Sequence, residues 1–336
     1  MSNLYKMMFF ASLMLGTLIT ISSNSWMGMW IGLEINLLSI IPLMSNSKNK
    51  MESEASMKYF ITQALASIIL LFALMIMLST SEMTKSKLVS SIILDSAILT
   101  KMGAAPFHFW FPEVMEGLNW INSTIMLTWQ KVAPMVIFSY SPKPFMFTVI
   151  IIITSMMVSG IMGINQTSMR KILAYSSINH IGWMIGTLLT NQTLWLIYLT
   201  IYMLMTLNMT MMFKILNVYN TNQMINVMNS SKMMKIMFTL NFLSLGGIPP
   251  FIGFYPKWIT INFMIQEQMY MLTLTMIILT LMTLFFYMRI TFTSIVVSTS
   301  ESISMTMKKS SKFTIILSNF ILLSSLTACT LIFSFL

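Results

Sequence analysis

Charge is scarce in this chain. Its 336 residues include 19 Lys and Arg and 9 Asp and Glu, 8% in all, where soluble domains carry about a quarter. That scarcity excludes a soluble globular fold. Cysteine is nearly absent: Cys329 stands alone, which excludes an internal disulfide and any cysteine-ligated cluster. The two histidines, His108 and His180, have no paired metal-ligand spacing. No Gly-rich dinucleotide fingerprint occurs, so no redox step is expected of this chain itself. The apolar stretch Met7–Ile21 follows Lys6 as a signal peptide would, yet no A-x-A-like cleavage site comes after it and a second apolar run begins at Trp26. The expectation is an uncleaved first helix.

What fills the chain is apolar. Hydrophobic residues make up 56% and mean hydropathy is +0.79. The apolar runs are about 18–25 residues long, the length that crosses about 30 Å of hydrocarbon as helix. They cover the chain, which predicts an all-α polytopic membrane protein with one transmembrane domain over 1–336. Methionine is abundant, 40 residues. A soft-metal site needs clustered, oriented sulfurs, whereas these are scattered on every face and read as lipid-facing and core filler. An AT-rich genome whose code reads an extra codon as Met would produce the same bias.

The hydropathy pattern predicts about eleven spans, at 4–22, 25–44, 57–79, 88–118 (broken), 122–139, 145–164, 171–189, 193–216, 236–264 (broken), 269–291 and 313–335. Loops are short except around 217–235 and 292–312, two polar stretches expected on the membrane surface. A net charge of +10 would suggest nucleic acid in a soluble protein; here topology explains it and no nucleic-acid partner is expected. Loops on the amino-terminal side hold thirteen basic residues: Lys6, Lys48, Lys50, Lys58, Arg170, Lys171, Lys214, Lys232, Lys235, Arg289, Lys308, Lys309 and Lys312. Opposite loops hold three, Lys85, Lys87 and Lys143. The bias places the N-terminus inside and the C-terminus outside.

Two spans are interrupted, five apart in order. The first reads Lys101-Met-Gly-Ala-Ala-Pro106-Phe-His108-Phe-Trp-Phe-Pro112, the second Gly246-Gly247-Ile-Pro249-Pro250-Phe-Ile-Gly253-Phe-Tyr-Pro256-Lys257. Proline removes a backbone donor and glycine permits the bend. Freed carbonyls at bilayer depth are tolerable only inside protein or against water. Interrupted spans at matching positions in two halves point to a transporter's site. The odd offset predicts inverted five-helix repeats, roughly 1–140 and 145–291, with 313–335 as an extra helix. Two unrelated proline kinks are the alternative, and the lysine carried by each interrupted span favours the repeat.

Glu34, Lys101, Lys131 and Lys257 fall inside spanning runs, where a charge costs roughly 2.5–3.5 kcal/mol on insertion scales and marks a functional site by default. A lysine kept from water can exchange its proton near neutral pH. Gln63, Gln130, Asn179, His180, Ser176, Ser177, Tyr175 and Asn208 are candidates to connect the four, although each is commoner as a hydrogen bond between membrane helices. His180 has the ordinary pKa nearest neutral. A pair of structural salt bridges is the competing account, and one acid cannot neutralise three lysines. Asp95, Glu113 and Glu116 lie near span ends, where snorkelling or helix-end electrostatics suffices.

Four segments carry a resemblance: Gly32-Leu-Glu34-Ile-Asn36, Lys101 through Pro112, Ala174-Tyr-Ser-Ser-Ile-Asn-His-Ile-Gly182, and Gly247-Ile-Pro-Pro-Phe251 through Lys257. Together they resemble the antiporter-like membrane-arm subunits of respiratory complex I, in a Met- and Ser-rich form like that of arthropods. The resemblance implies a proton-translocating subunit of the inner mitochondrial membrane, made in that organelle, with a multi-pass fold. It implies that Glu34 is the essential glutamate, Lys101 and Lys257 the broken-helix lysines and Lys131 the central lysine; His180 and His108 are lesser candidates on their own chemistry. It also implies neighbouring membrane-arm subunits and inner-membrane lipids as partners. NADH, FMN, iron–sulfur clusters and ubiquinone would belong to the holoenzyme, none of them bound by this chain. Bacterial relatives have fourteen helices, and this chain is expected to lack the first three. An autonomous cation/proton antiporter is the alternative, since it shares the scaffold, and a silent scaffold is a third.

Overall fold

The computed structural model describes residues 2–46, 49–79, 84–229, 232–249 and 251–296. The expected span 313–335, with Cys329 and the outer C-terminus, lies outside the described residues. Among the described residues there are fourteen helices and one isolated bridge, Ser168 to Asn220. Six are long and apolar enough to cross a membrane: α1 (Ser2–Ser22), α2 (Trp26–Met44), α3 (Lys50–Ser79), α8 (Phe145–Ile164), α10 (Gln192–Leu216) and α14 (Tyr270–Val296). The other four spans expected within the described residues are helical too, but broken or polar. They are α4 (Thr84–Met102) with α5 (Trp110–Gly117), α6 (Trp120–Leu127) with α7 (Trp129–Tyr140), α9 (Met169–Thr190), and α12 (Lys232–Gly246) with α13 (Phe254–Gln266).

The chain forms two compact units, Met1–Thr154 and Ser155–Leu336. In the first, α1 and α2 cross closely through small residues, as membrane helices do when backbone approach replaces the hydrophobic drive. A Cβ on Gly32 would meet Thr20 Cγ2 at 2.5 Å and the Gly16 carbonyl oxygen at 2.8 Å. Gly32 therefore fixes how α2, which carries Glu34 and Asn36, lies against α1. Replacing it with Ala is expected to force α1 away at about 1–3 kcal/mol, read as earlier loss of the assembled protein on heating in detergent. Away from this crossing, Leu15, Leu18, Leu38, Leu65, Ile68 and Phe72 are exposed, the apolar outer surface of a lipid-facing bundle.

The expected span 122–139 has a break that its sequence did not announce. Thr128 stays in the right-handed helical region but is distorted, at φ −112°, ψ −73°. The Thr124 carbonyl takes both its N–H at 3.0 Å and its hydroxyl at 2.6 Å, a back-bonding that bends helices. Pro134 lies six residues on, inside α7. The bend sits just before Gln130 and Lys131.

In the second unit α9 is enclosed: every residue from Ile172 to Leu188 is buried. It packs against α10, α13 and α14. The polar stretch expected on the membrane surface at 217–235 contains a further helix, α11 (Thr221–Asn229), which buries Met224, Val227 and Met228 and exposes Asn222, Gln223 and Asn226. Its three buried apolar residues recur at helical spacing.

Candidate functional site

Each interrupted span stops its first half in the same way. In α4 the Gly103 N–H reaches the Thr100 carbonyl at 3.2 Å and the Ala104 N–H reaches Leu99 at 3.1 Å, with Gly103 at φ +76°. In α12 the Gly247 N–H reaches Ser244 at 3.0 Å and the Ile248 N–H reaches Leu243 at 3.3 Å, with Gly247 at φ +78°. Both are Schellman caps, which need a residue that tolerates positive φ. They end a helix inside protein while satisfying its carbonyls.

In the first unit, Lys101 occupies the last turn of α4 and is 7% exposed. It lines a small cavity with Asn36, Tyr59, Gln63, Gln130 and Pro134, ≈ 10 Å³ of room for a water-sized sphere, about what one water needs. Gln130 donates to Asn36 Oδ1 at 2.9 Å, the Tyr59 hydroxyl donates to Gln130 Oε1 at 3.5 Å, and Gln63 donates to the Lys101 carbonyl at 3.4 Å. Two of the expected connectors, Gln63 and Gln130, thus meet at Lys101. Sequence reasoning missed Tyr59 and overlooked Asn36, two residues beyond Glu34 in the same motif.

Glu34 is partly exposed, and its Oε1 is buried with no hydrogen-bond partner. It lies within Coulomb reach of Lys101, yet no ion pair joins the two. A salt-bridge lock between them is therefore not the arrangement. Lys131, 2% exposed, places its Nζ 5.6 Å from the centre of the Phe111 ring, a cation–π contact to the second half of the broken span. His108 sits at the first break, buried, with Nδ1 unpartnered and its ring 4.5 Å from that of Phe109.

In the second unit, Lys257 is 6% exposed and donates to the Gly246 carbonyl at 2.9 Å, across the break. His180 Nδ1 is 2.9 Å from the Tyr198 hydroxyl, and its ring lies 4.9 Å from Tyr202. Those tyrosines were not singled out in the sequence. Asn179 donates to Thr283 and Asn208 to Asn241, each at 3.3 Å, joining α9 to α14 and α10 to α12. Ser176 and Ser177 donate to carbonyls three residues back in α9, at 2.8 and 2.7 Å. Tyr175 is buried beside them.

Of the three acids expected near span ends, Glu113 is exposed and pairs with Lys58 at 3.0 Å, where Glu54 also binds. Asp95 differs. It is 0% exposed, and its Oδ1 accepts a hydrogen bond from the Ser141 hydroxyl at 2.6 Å. The end of α7 covers it, so it does not snorkel. Among the described residues, no three of His, Cys, Asp and Glu come together as a metal site requires.

Buried lysines at capped helix breaks, in an apolar and almost wholly helical set of described residues, mark an antiporter-like membrane fold. The chain belongs to the NADH:quinone oxidoreductase/Mrp antiporter transmembrane family, whose sequence model matches residues 23–283. It is 47% identical over 296 residues to NADH-ubiquinone oxidoreductase chain 2 of Anopheles gambiae, covering 87% of this chain and 86% of that one. Against the protein of the same name from Locusta migratoria it is 43% identical over 317 residues, 94% and 93% of the two chains. Its fold is similar to a chain of respiratory complex I from Thermus thermophilus, with TM-score 0.84 and 20% identity over 95% of this chain and 77% of that one. A chain of the Mrp complex from Dietzia sp. gives TM-score 0.78 and 15% identity, over 96% and 75%.

Proposed function

We propose that this chain is a membrane-arm subunit of the proton-pumping NADH:ubiquinone oxidoreductase of the inner mitochondrial membrane, and that Glu34, Lys101, Lys131 and Lys257 carry its part in proton translocation. The observation that carries this reading is Lys101. It is buried at a helix break without an ion pair to Glu34, on a cavity walled by Asn36, Tyr59, Gln63 and Gln130. A buried lysine is a switchable charge. A change in the charge of Glu34 would alter how readily Lys101 holds its proton, and the amide chain would pass the effect to the turn that carries Lys131. Moving one charge against 100 mV costs about 2.3 kcal/mol, work that redox chemistry elsewhere in the holoenzyme would supply. NADH, FMN, iron–sulfur clusters and ubiquinone belong to other subunits in this reading. His180, held by Tyr198, would serve the second half, and His108 would line the first break. The partners are neighbouring membrane-arm subunits and membrane lipid.

About eleven spans in one domain, with the N-terminus on the matrix side, fit the loop charges. An inverted repeat gains support from the register of the two breaks. Counting from Gly103 and Gly247, both segments place Pro three residues on (Pro106, Pro250), Phe four on (Phe107, Phe251) and Pro nine on (Pro112, Pro256).

Replacing Lys101 with Met is expected to lower the protons moved per NADH oxidised in the assembled enzyme. An unchanged ratio would sink the relay reading and leave a scaffold. The fold likeness to the Mrp chain keeps a second reading, autonomous cation/proton exchange. Purified chain in liposomes that exchanges sodium or potassium for protons would favour that reading.

A further inference from the structure

Asp95 has no role in the four-residue axis, yet it is the acid whose position most needs explaining. Oδ1 is held by Ser141, while Oδ2 is buried with no hydrogen-bond partner. Ser141 closes α7 and is 5% exposed. Two residues on, Lys143 lies half-buried in the connection to α8, its Nζ 5.9 Å from the Phe138 ring centre. Loss of hydration pushes the Lys143 ammonium below its usual 10.5, and the Asp95 carboxylate opposes that shift. The three groups therefore grade from fully buried to half-exposed within the first unit. By the loop charges, this connection is on the outer side, with Lys85 and Lys87. Lys101 is six residues further along α4, about 9 Å of helix rise, and Lys131 lies on the helix that Ser141 ends. Asp95 thus stands between the lysine at the break and the outer surface.

A purely structural latch does not need an acid here. It needs one acceptor for the Ser141 hydroxyl, which an amide supplies without withdrawing a charge from water. A carboxylate with one oxygen left over, at membrane depth, is a costly way to make one hydrogen bond.

The geometry points to Asp95 as the proton-release group of the first unit, with Ser141 and Lys143 as its route to the outer surface. This rests on the lysine relay proposed above. A proton leaving the lysine site joins Oδ2 and forms the neutral acid. The carboxyl then turns its proton to Ser141, whose hydroxyl takes it while giving its own proton to outer water beside Lys143. Asp95 returns to carboxylate, and one proton has moved.

The test compares Asp95→Asn with Lys101→Met in assembled enzyme, reading protons moved per NADH oxidised. Asn keeps the size and the acceptor but cannot carry the proton. The expected result is that both variants lower the ratio by the same fraction. A lowered ratio in Lys101→Met with a normal one in Asp95→Asn would overturn the release role alone. Normal ratios in both would overturn the lysine relay and this proposal with it. Should Asp95→Asn not assemble, Ser141→Ala takes its place: the release role requires a lowered ratio there, and a normal ratio in the assembled variant overturns it.

Discussion

Alanine in place of Gly253 is expected to remove nearly all of the assembled protein. A Cβ at this position would fall on the Ser244 carbonyl oxygen, well inside contact distance. Gly253 has ordinary helical geometry, φ −65° and ψ −17°, so backbone strain is not the issue. The obstacle is space, because the turn that starts α13 folds back onto the last turn of α12. Backbone atoms cannot swing aside as a long side chain can, and overpacking of this kind costs about 3 kcal/mol or more. Opening the break instead would separate Lys257 from the Gly246 carbonyl. Gly246→Ala is the matched control. Its Cβ would find Tyr287 and Leu284 at 3.6 and 3.8 Å, ordinary contacts, and the variant should accumulate normally. Native electrophoresis with NADH-activity staining, alongside immunodetection of the chain, reads both. Normal assembly of Gly253→Ala would mean that the break is more open than the structure has it.

The two breaks at Lys101 and Lys257 were legible because glycine and proline act locally, and their spacing could be read without knowing any neighbour. The four charges were legible for a similar reason: a charge within twenty apolar residues stands out. Thr128 was not, because its back-bond to Thr124 depends on a side-chain rotamer rather than on residue type, and threonine sits in many unbroken helices. Tyr59, Tyr198 and Tyr202 carry no local pattern; only tertiary contact distinguishes a tyrosine beside Gln130 or His180 from one packed on leucine. The burial of Asp95 could not be read from its place along α4. Distance to a span end says where a carboxylate can snorkel, whereas the end of another helix decides whether water remains there. The same limit applied to α9, whose polar residues suggested a relay one by one. Ser176 and Ser177 bond back to carbonyls of their own helix, and Ser177 also faces Tyr202 of α10, a contact that no local pattern announces.

Lys257 allows the sharpest test of what kind of charge the second break requires. Its Nζ donates to the Gly246 carbonyl at 2.9 Å, a hydrogen bond from a charged group worth about 1.5–3 kcal/mol. Lys257→Met should therefore do two things: loosen the break, seen as a lower melting temperature of the assembled enzyme, and lower the protons moved per NADH. Lys257→Arg separates them. Arginine keeps a positive charge and donors for Gly246, so it should recover part of the thermal stability. It cannot release its proton in a protein, and its planar fork must enter a space where a Cβ on Gly247 would already lie 2.9 Å from Lys257 Nζ. If the lysine carries a proton, the arginine enzyme should pump no better than the methionine one. If it pumps normally, a fixed charge at the break is all that is required, and the switchable group of the second unit must be sought beside His180 and Tyr198.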